Sequence, residues 1–194
     1  MSEKMKLLRA IAGKNRGLLA SPEEKIEILN AIADLEAQNP TESPTEARDL
    51  LGGDWRLLYT TSGDLLNLDL PPIIGLGQIY QCIRPATGEL YNIAEILGLP
   101  FLDGIVSVTA KIQPLSERRV DVKFQRWIVG LQNLIDYRSP AEFVAQIEAG
   151  KDFSALSFPV DRAEQYNWLD TTYLDEDLRI GRGNNGSIYV LTKS

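Results

Sequence analysis

The last part of the chain carries two strand patterns on either side of a turn. Leu178 and Ile180 share one face of an extended segment while Arg179 takes the other, which is the two-residue period of a half-buried strand. Residues 188–191 repeat that period after a Gly-Asn-Asn-Gly turn at residues 183–186. Asn-Gly tolerates positive φ and is typical of hairpin turns. The pattern predicts a terminal β-hairpin, and we expect this hairpin to close a sheet.

The same segment contains a formal dinucleotide-binding motif. Residues 181–186, GRGNNG, match G-x-G-x-x-G, but that motif needs a following helix and an acidic residue about 20 positions later. Only eight residues follow Gly186. The hairpin interpretation is therefore preferred, and we expect no nucleotide cofactor here.

Composition excludes several classes of function. The chain has no histidine, which removes the usual general base, the Ser/His and Cys/His nucleophile pairs and most zinc sites. The single cysteine, Cys82, lies in a strand-like run and is expected to be buried and unreactive. A net charge of −7 argues against nucleic-acid binding, which needs a basic surface. We therefore expect a non-enzyme without metal or other cofactor.

The first 20 residues are basic, with five Lys or Arg against Glu3. Two interpretations stay open: the segment rests on an anionic membrane surface, or it packs its apolar residues Leu7, Leu8 and Ile11 on the domain, which is favoured. No apolar run reaches the roughly 20 residues that span a bilayer, and the start lacks a signal-peptide core. We expect a protein that is neither secreted nor membrane-spanning.

Local patterns divide the chain into a helical start and a β-rich remainder. Ser21-Pro22 with Glu24 predicts a capped helix that ends at Asn39-Pro40, and Ser139-Pro140 predicts a short helix over residues 140–149. From Trp55 onward, period-two runs predict antiparallel strands. We expect a mainly β, α+β chain, with an N-terminal helical segment at residues 1–50 and an antiparallel barrel at residues 51–194 that carries the short helical insertion.

One connection is unusual because it is apolar. Residues 65–76 read LLNLDLPPIIGL, whereas loops are normally polar. Burial, a lid over a cavity and a membrane contact remain open for this segment.

Three blocks of the sequence resemble a known family. Residues 50–62 (LLGGDWRLLYTTS), 77–81 (GQIYQ) and 169–183 (LDTTYLDEDLRIGRG) are similar to motifs of the plastid lipid-associated proteins, also called fibrillins or plastoglobulins. The resemblance runs over roughly residues 20–191. It implies a cyanobacterial member, in the cytoplasm or at thylakoids, or else a processed plastid protein, and it implies association with thylakoids or lipid bodies.

That family is similar in architecture to lipocalins, which implies a lipocalin-like barrel. Lipocalins carry G-x-W on the first strand and stack an arginine of the last strand on the tryptophan. Gly53 and Trp55 match the first element, and Arg179 or Arg182 can supply the second. An arginine over an indole contributes about 0.5 to 2 kcal/mol. These four residues are therefore expected to close the barrel.

A barrel of this size can enclose one small apolar ligand. The leading hypothesis is a binding protein, carrier or store, for isoprenoid or acyl lipids such as quinones, carotenoids or fatty acids. Apolar strand faces supply the candidate lining, a tyrosine (Tyr80 or Tyr91) or Arg179 can orient a polar end, and the candidate ligand-binding residues are Leu57, Tyr59, Tyr80, Val106, Val108, Val122, Phe124, Trp127 and Arg179.

Two alternatives use other features. A structural scaffold that coats lipid bodies or membranes, without an interior ligand, would use the basic start and the apolar connection. A bilin-attaching enzyme, suggested only by the possible barrel, is the weaker of the two because there is no histidine to donate a proton. The acidic residues 175–177 lack the spacing of a calcium loop and are expected to pair with Arg179 or Arg182.

Overall fold

The computed structural model describes residues 1–66, 75–98, 101–160 and 167–194. Within these ranges it contains the helices α1 (Glu3–Ile11), α2 (Pro22–Glu36), α3 (Arg48–Leu51), α4 (Gly63–Leu66) and α5 (Pro140–Glu148). The strands are β1 (Gly53–Thr60), β2 (Gly75–Arg84), β3 (Glu89–Leu97), β4 (Gly104–Pro114), β5 (Arg119–Leu131), β6 (Leu156–Pro159), β7 (Asn167–Leu174), β8 (Leu178–Gly183) and β9 (Ile188–Lys193).

Eight of these strands form a closed antiparallel barrel, as the sequence predicts. Neighbours follow the order β4-β3-β2-β1-β9-β8-β7-β5, and β5 also pairs with β4, which closes the ring. The other edge of β5 is shared, since β7 pairs with residues 119–122 and β6 pairs with residues 126–129. The predicted terminal hairpin is confirmed: β8 pairs with β9 around a turn in which Gly186 has φ +73°.

Four of the strand pairs contain an irregularity that inserts one extra residue. The extra residues are Leu58 on β1, Gln125 on β5, Thr172 on β7 and one residue between Leu76 and Ile79 on β2. A bulge of this kind reverses the inside-outside alternation of the strand beyond it. The strands therefore change which side chains face the interior part-way along their length.

The N-terminal helices cover the outer face of β7, β8 and β9. Ser21 caps α2 with a complete capping box, which confirms the predicted start. The buried side chains of α2 are Ile28, Ile32 and Leu35, whereas Ile26 and Leu29 are 61% and 38% exposed. The helices pack through one shared cluster, which contains Leu7, Ile11, Ile28, Ile32, Leu35, Tyr59, Tyr173, Leu178, Ile180, Ile188 and Val190.

The predicted short helix, α5, covers a second outer face, over β2 to β5. Ser139 accepts a hydrogen bond from the backbone of Glu142 at its start. Phe143 and Val144 pack with Cys82, and the other members of this cluster are Tyr91, Ile93, Ile105, Ile128 and Ile135. Burial raises the pKa of the Cys82 thiol, so the thiol stays protonated at neutral pH.

The basic residues of the start are engaged with the protein itself. Lys4 pairs with Asp175 at 2.8 Å and with Asp177. Lys14 pairs with Glu24, and the guanidinium of Arg16 donates to the carbonyls of residues 76 and 77. The acidic turn thus pairs with Lys4, and the expected pairing with Arg179 or Arg182 is wrong, because those two arginines lie beyond the turn with other partners.

Asp175 links helix α1 to the β7–β8 turn and generates a pH-dependence prediction. Burial opposes its ionised form, but hydrogen bonds from Lys4, Tyr173 and the backbone N–H groups of Asp177 and Leu178 outweigh it and lower the pKa of Asp175 to about 2. The unfolded value is near 3.8. The stabilisation is therefore complete above about pH 4 and is lost as pH falls toward 2.

Asp175→Asn is expected to lower the free energy of unfolding by about 1 to 2 kcal/mol at pH 7. The difference from the wild type should shrink between pH 4 and pH 2, measured by urea denaturation across that range. Asp177→Asn is the control, because that side chain is 67% exposed and should cost less than about 0.5 kcal/mol. Equal losses for the two variants would contradict this account.

Candidate functional site

The barrel interior contains a cavity that opens at one end. Its volume is about 430 Å³, within the range of about 300 to 1,000 Å³ typical of small-molecule sites. The opening lies where β1 and β8 end and β7 and β9 begin, beside the β8–β9 turn. The lining residues are Leu57, Ser62, Ile79, Tyr80, Gln81, Leu90, Asn92, Ile93, Ala94, Val106, Val108, Val122, Phe124, Trp127, Asn167, Trp168, Leu169, Gly183, Asn184, Asn185, Ser187, Tyr189 and Leu191.

Strand register brings together most of the residues proposed from the sequence. Val106 and Val108 on β4 lie opposite Val129 and Trp127 on β5, and the bulge at Gln125 puts both Phe124 and Trp127 on the inner face. The candidates that border the cavity are Leu57, Tyr80, Val106, Val108, Val122, Phe124 and Trp127. The wall that these residues form is largely apolar.

The two candidate tyrosines do not occupy the position that a hydroxyl pointing into the cavity would need. Tyr80 borders the cavity, but it also packs against the cluster beneath α5. Tyr91 is buried in that outer cluster, and its hydroxyl donates to Glu89 at 2.5 Å. Other side chains are therefore better placed than these tyrosines to add polar groups to the wall.

Tyr59 does not line the cavity. Simple alternation along β1 places it on the same face as Leu57. The bulge at Leu58 reverses the strand, so that Tyr59 pairs with Val190 and packs among the residues of α1 and α2. Tyr59 is thus a core residue between the barrel and the helices, and the expectation that it contacts a ligand is not supported by its position.

The far end of the barrel is closed around Trp55. Trp55 is fully buried, and its Nε1 donates to the carbonyl of Leu51 at 2.9 Å. The guanidinium carbon of Arg179 lies 5.3 Å from the centre of its ring. Gly53 adopts φ +133°, a backbone conformation that favours glycine two residues before this tryptophan.

Arg179, and not Arg182, is the arginine that meets Trp55. Arg182 points to the outer face and forms a two-bond ion pair with Glu36 on α2, at 2.8 and 2.6 Å. Arg179 is 1% exposed and lies on the inner face of β8. It is not itself a lining residue, but its Nη2 donates to Oε1 of Gln81, which is one.

The sequence analysis missed several polar lining residues, among them Gln81 and Asn92. Gln81 shares the inner face of β2 with Ile79 and Ile83, and its Nε2 donates to Oδ1 of Asn92 on β3 at 3.0 Å. Alternation from Ile79 could have placed Gln81 inside the barrel. Asn92 lies between Leu90 and Ala94, two buried residues of the same face, so its position follows the same period.

Exposed apolar side chains lie in strand connections at the same end of the barrel as the opening. Leu97, Phe101 and Leu102 flank the β3–β4 turn, and Leu134 lies in the connection after β5. Phe101 is 87% exposed and has φ +70°, a conformation that is rare for a bulky residue. The apolar connection at residues 65–76 leads to the same end, but residues 67–74 lie outside the described ranges. We call Leu97, Phe101, Leu102 and Leu134 the apolar rim.

Comparison with known proteins shows the family of the chain. A sequence profile of the PAP_fibrillin family matches residues 1–192. The chain belongs to the PAP_fibrillin family. This finding confirms the resemblance drawn from the sequence blocks around Trp55 and Asp170. No helix in the described parts of this family member is long and apolar enough to cross a membrane.

Three plant proteins are among the relatives of this PAP_fibrillin chain. A probable plastid-lipid-associated protein 2, chloroplastic, of Arabidopsis thaliana is 33% identical over 98% of the chain and 70% of the relative. A light-induced protein, chloroplastic, of Solanum tuberosum is 35% identical over 98% and 66%. A chromoplast-specific carotenoid-associated protein C1, chromoplastic, of an Oncidium hybrid cultivar is 33% identical over 98% and 68%. The chain spans about two thirds of the length of these relatives.

The closed end of the barrel generates a stability prediction. Trp55→Phe removes the indole donor to Leu51 and leaves a small void in a fully buried site, so the free energy of unfolding should fall by about 2 to 3 kcal/mol. Arg182→Gln should cost less than about 1 kcal/mol, since its side chain is 39% exposed. Urea denaturation measures both. Equal costs would show that Trp55 does not hold the barrel end.

Proposed function

We propose that this protein binds a small isoprenoid or acyl lipid inside the barrel, as a carrier or store at thylakoid membranes or lipid bodies of a photosynthetic organism or plastid. The observation that carries the proposal is the open cavity of about 430 Å³ with a largely apolar wall. The names of the relatives, which are lipid-associated or carotenoid-associated, support the same class of ligand.

Burial of apolar surface provides the binding energy. Each 100 Å² of apolar ligand surface that leaves water contributes about 2.5 kcal/mol, from which the loss of ligand freedom is subtracted. Phe124, Trp127, Val106 and Val108 form the wall that such a ligand contacts. Their side chains provide an apolar surface of defined shape. Such a surface suits binding of a class of apolar molecules better than selective binding of a single compound.

Binding rather than catalysis fits the chemistry of the wall. The described lining residues include no acidic, basic, histidine or cysteine side chain. General acid-base and nucleophilic catalysis depend mainly on such groups. We therefore propose a role without turnover for the cavity.

Phe124→Lys tests the interior site. A cation on the cavity wall should weaken binding of a fluorescent acyl lipid at least tenfold, because the ammonium must stay hydrated in an apolar enclosure. Gln125→Lys is the matched control, since Gln125 is the neighbouring exposed bulge residue and gains the same charge outside. Fluorescence titration measures both, and circular dichroism checks the fold. Unchanged binding by Phe124→Lys would reject the interior site.

The apolar rim supports contact of the open end with a lipid surface. Several exposed apolar groups at one end of a protein are typical of interaction sites. Loading from a membrane through this end would spare the lipid a passage through water. The basic N-terminal segment supports such a contact less, because Lys4, Lys14 and Arg16 already bind protein groups.

Phe101→Asn tests the membrane contact. Asparagine tolerates φ near +70° better than phenylalanine, so folding stability should not fall, while flotation with liposomes should drop several-fold. Leu115→Asn is the control, because Leu115 is 54% exposed in the β4–β5 turn at the closed end. Equal effects of the two variants would exclude an oriented contact.

The same pair of experiments separates the scaffold alternative, which the apolar rim also favours. A protein that only coats lipid surfaces should lose flotation in Phe101→Asn and show no response to Phe124→Lys. An interior carrier should respond to Phe124→Lys in its ligand binding whether or not it floats.

A further inference from the structure

Arg179 is a buried cation without a carboxylate partner in the described part of the chain. It is 1% exposed on the inner face of β8, and its Nε makes no hydrogen bond. Within the described residues, the guanidinium makes a cation–π contact with the ring of Trp55 and a hydrogen bond to Oε1 of Gln81. Burial lowers the pKa of the guanidinium to about 9, so it is still charged at neutral pH. A charge in this position is costly unless an anion accompanies it.

The guanidinium also fixes the direction of two neighbouring amides. Arginine has only donors, so Gln81 must present Oε1 to Arg179 and turn its Nε2 toward Asn92. Asn92 then accepts this bond through Oδ1, at 3.0 Å. Its Nδ2 is left as a donor group. The hydrogen-bond chain from Arg179 through Gln81 to Asn92 therefore ends in N–H groups of two residues that line the cavity.

We propose that Arg179, Gln81 and Asn92 form a head-group site that selects acyl lipids carrying a carboxylate. This inference rests on the proposed lipid-binding function and specifies its ligand. The carboxylate accepts hydrogen bonds from the amides of Gln81 and Asn92. Its negative charge compensates Arg179, which is a positioning residue because it acts through Gln81. The described wall holds no acidic side chain that would compete.

A purely structural role for Arg179 makes a different prediction. An arginine that only packs on Trp55 would leave the cavity indifferent to the charge of the head group. Lipids with the same chain and different head groups would then bind alike. Comparing oleate with oleyl alcohol, at pH 8 and with the full-length delipidated protein, separates the two roles.

The expected result for the wild type is at least tenfold tighter binding of oleate than of oleyl alcohol. Gln81→Glu places a carboxylate where Oε1 meets Arg179, so the protein supplies its own counter-ion. This variant should lose the oleate preference and melt at the same or a higher temperature than the wild type. Asn92→Leu removes the terminal donor and should also lose the preference.

Gln125→Glu is the matched control, because it adds the same charge at the exposed bulge residue of β5, outside the cavity wall and the hydrogen-bond chain. It should keep most of the oleate preference. Arg179→Met should abolish the preference if it folds, and Gln81→Glu with Asn92→Leu decide the question if it does not. Equal binding of the two lipids by the wild type would overturn the head-group site and leave the lipid-binding function standing. Binding of neither lipid would overturn the head-group site and the acyl-lipid part of the proposed function.

Discussion

The structure depends on β5, the strand whose pairing with β4 closes the barrel. Its bonds to β4 on one side and to β7 and β6 on the other turn an antiparallel sheet into a closed ring. In a closed barrel, each strand side chain faces either the interior or the outside. Eight strands enclose only enough space for side chains or for one small ligand. The outer apolar faces must be covered in turn, which α1 and α2 do on one side and α5 does on the other.

The bulges decide how the barrel divides its residues between cavity and cover. Leu57 faces the interior and Tyr59 faces the helices because Leu58 is inserted between them. On β5, the extra residue Gln125 places both Phe124 and Trp127 on the inner wall. One extra residue thus changes which alternate side chains of a strand face the interior. The set that faces inward at the closed, packed end differs from the set that faces inward at the end with the cavity.

Local patterns could be predicted from the sequence, whereas contacts between distant segments could not. The capped starts of α2 and α5 and the terminal hairpin depend on a few adjacent residues, and all three are confirmed. Bulges have no clear signature in the amino-acid sequence, so Tyr59 was predicted to lie on the wrong face of β1. Choosing between Arg179 and Arg182 required knowing that Glu36 of α2 lies across from Arg182. Gln81 was missed because polar side chains in strands are usually expected to face solvent.

The central claim is that the barrel holds a lipid, and native mass spectrometry of the intact protein tests it most directly. The protein would be purified from photosynthetic cells and compared with an unrelated protein from the same extract. The expected result is a complex with one acyl or isoprenoid lipid at close to one molecule per chain. An empty chain, or a lipid mixture that matches the average membrane composition, would contradict it.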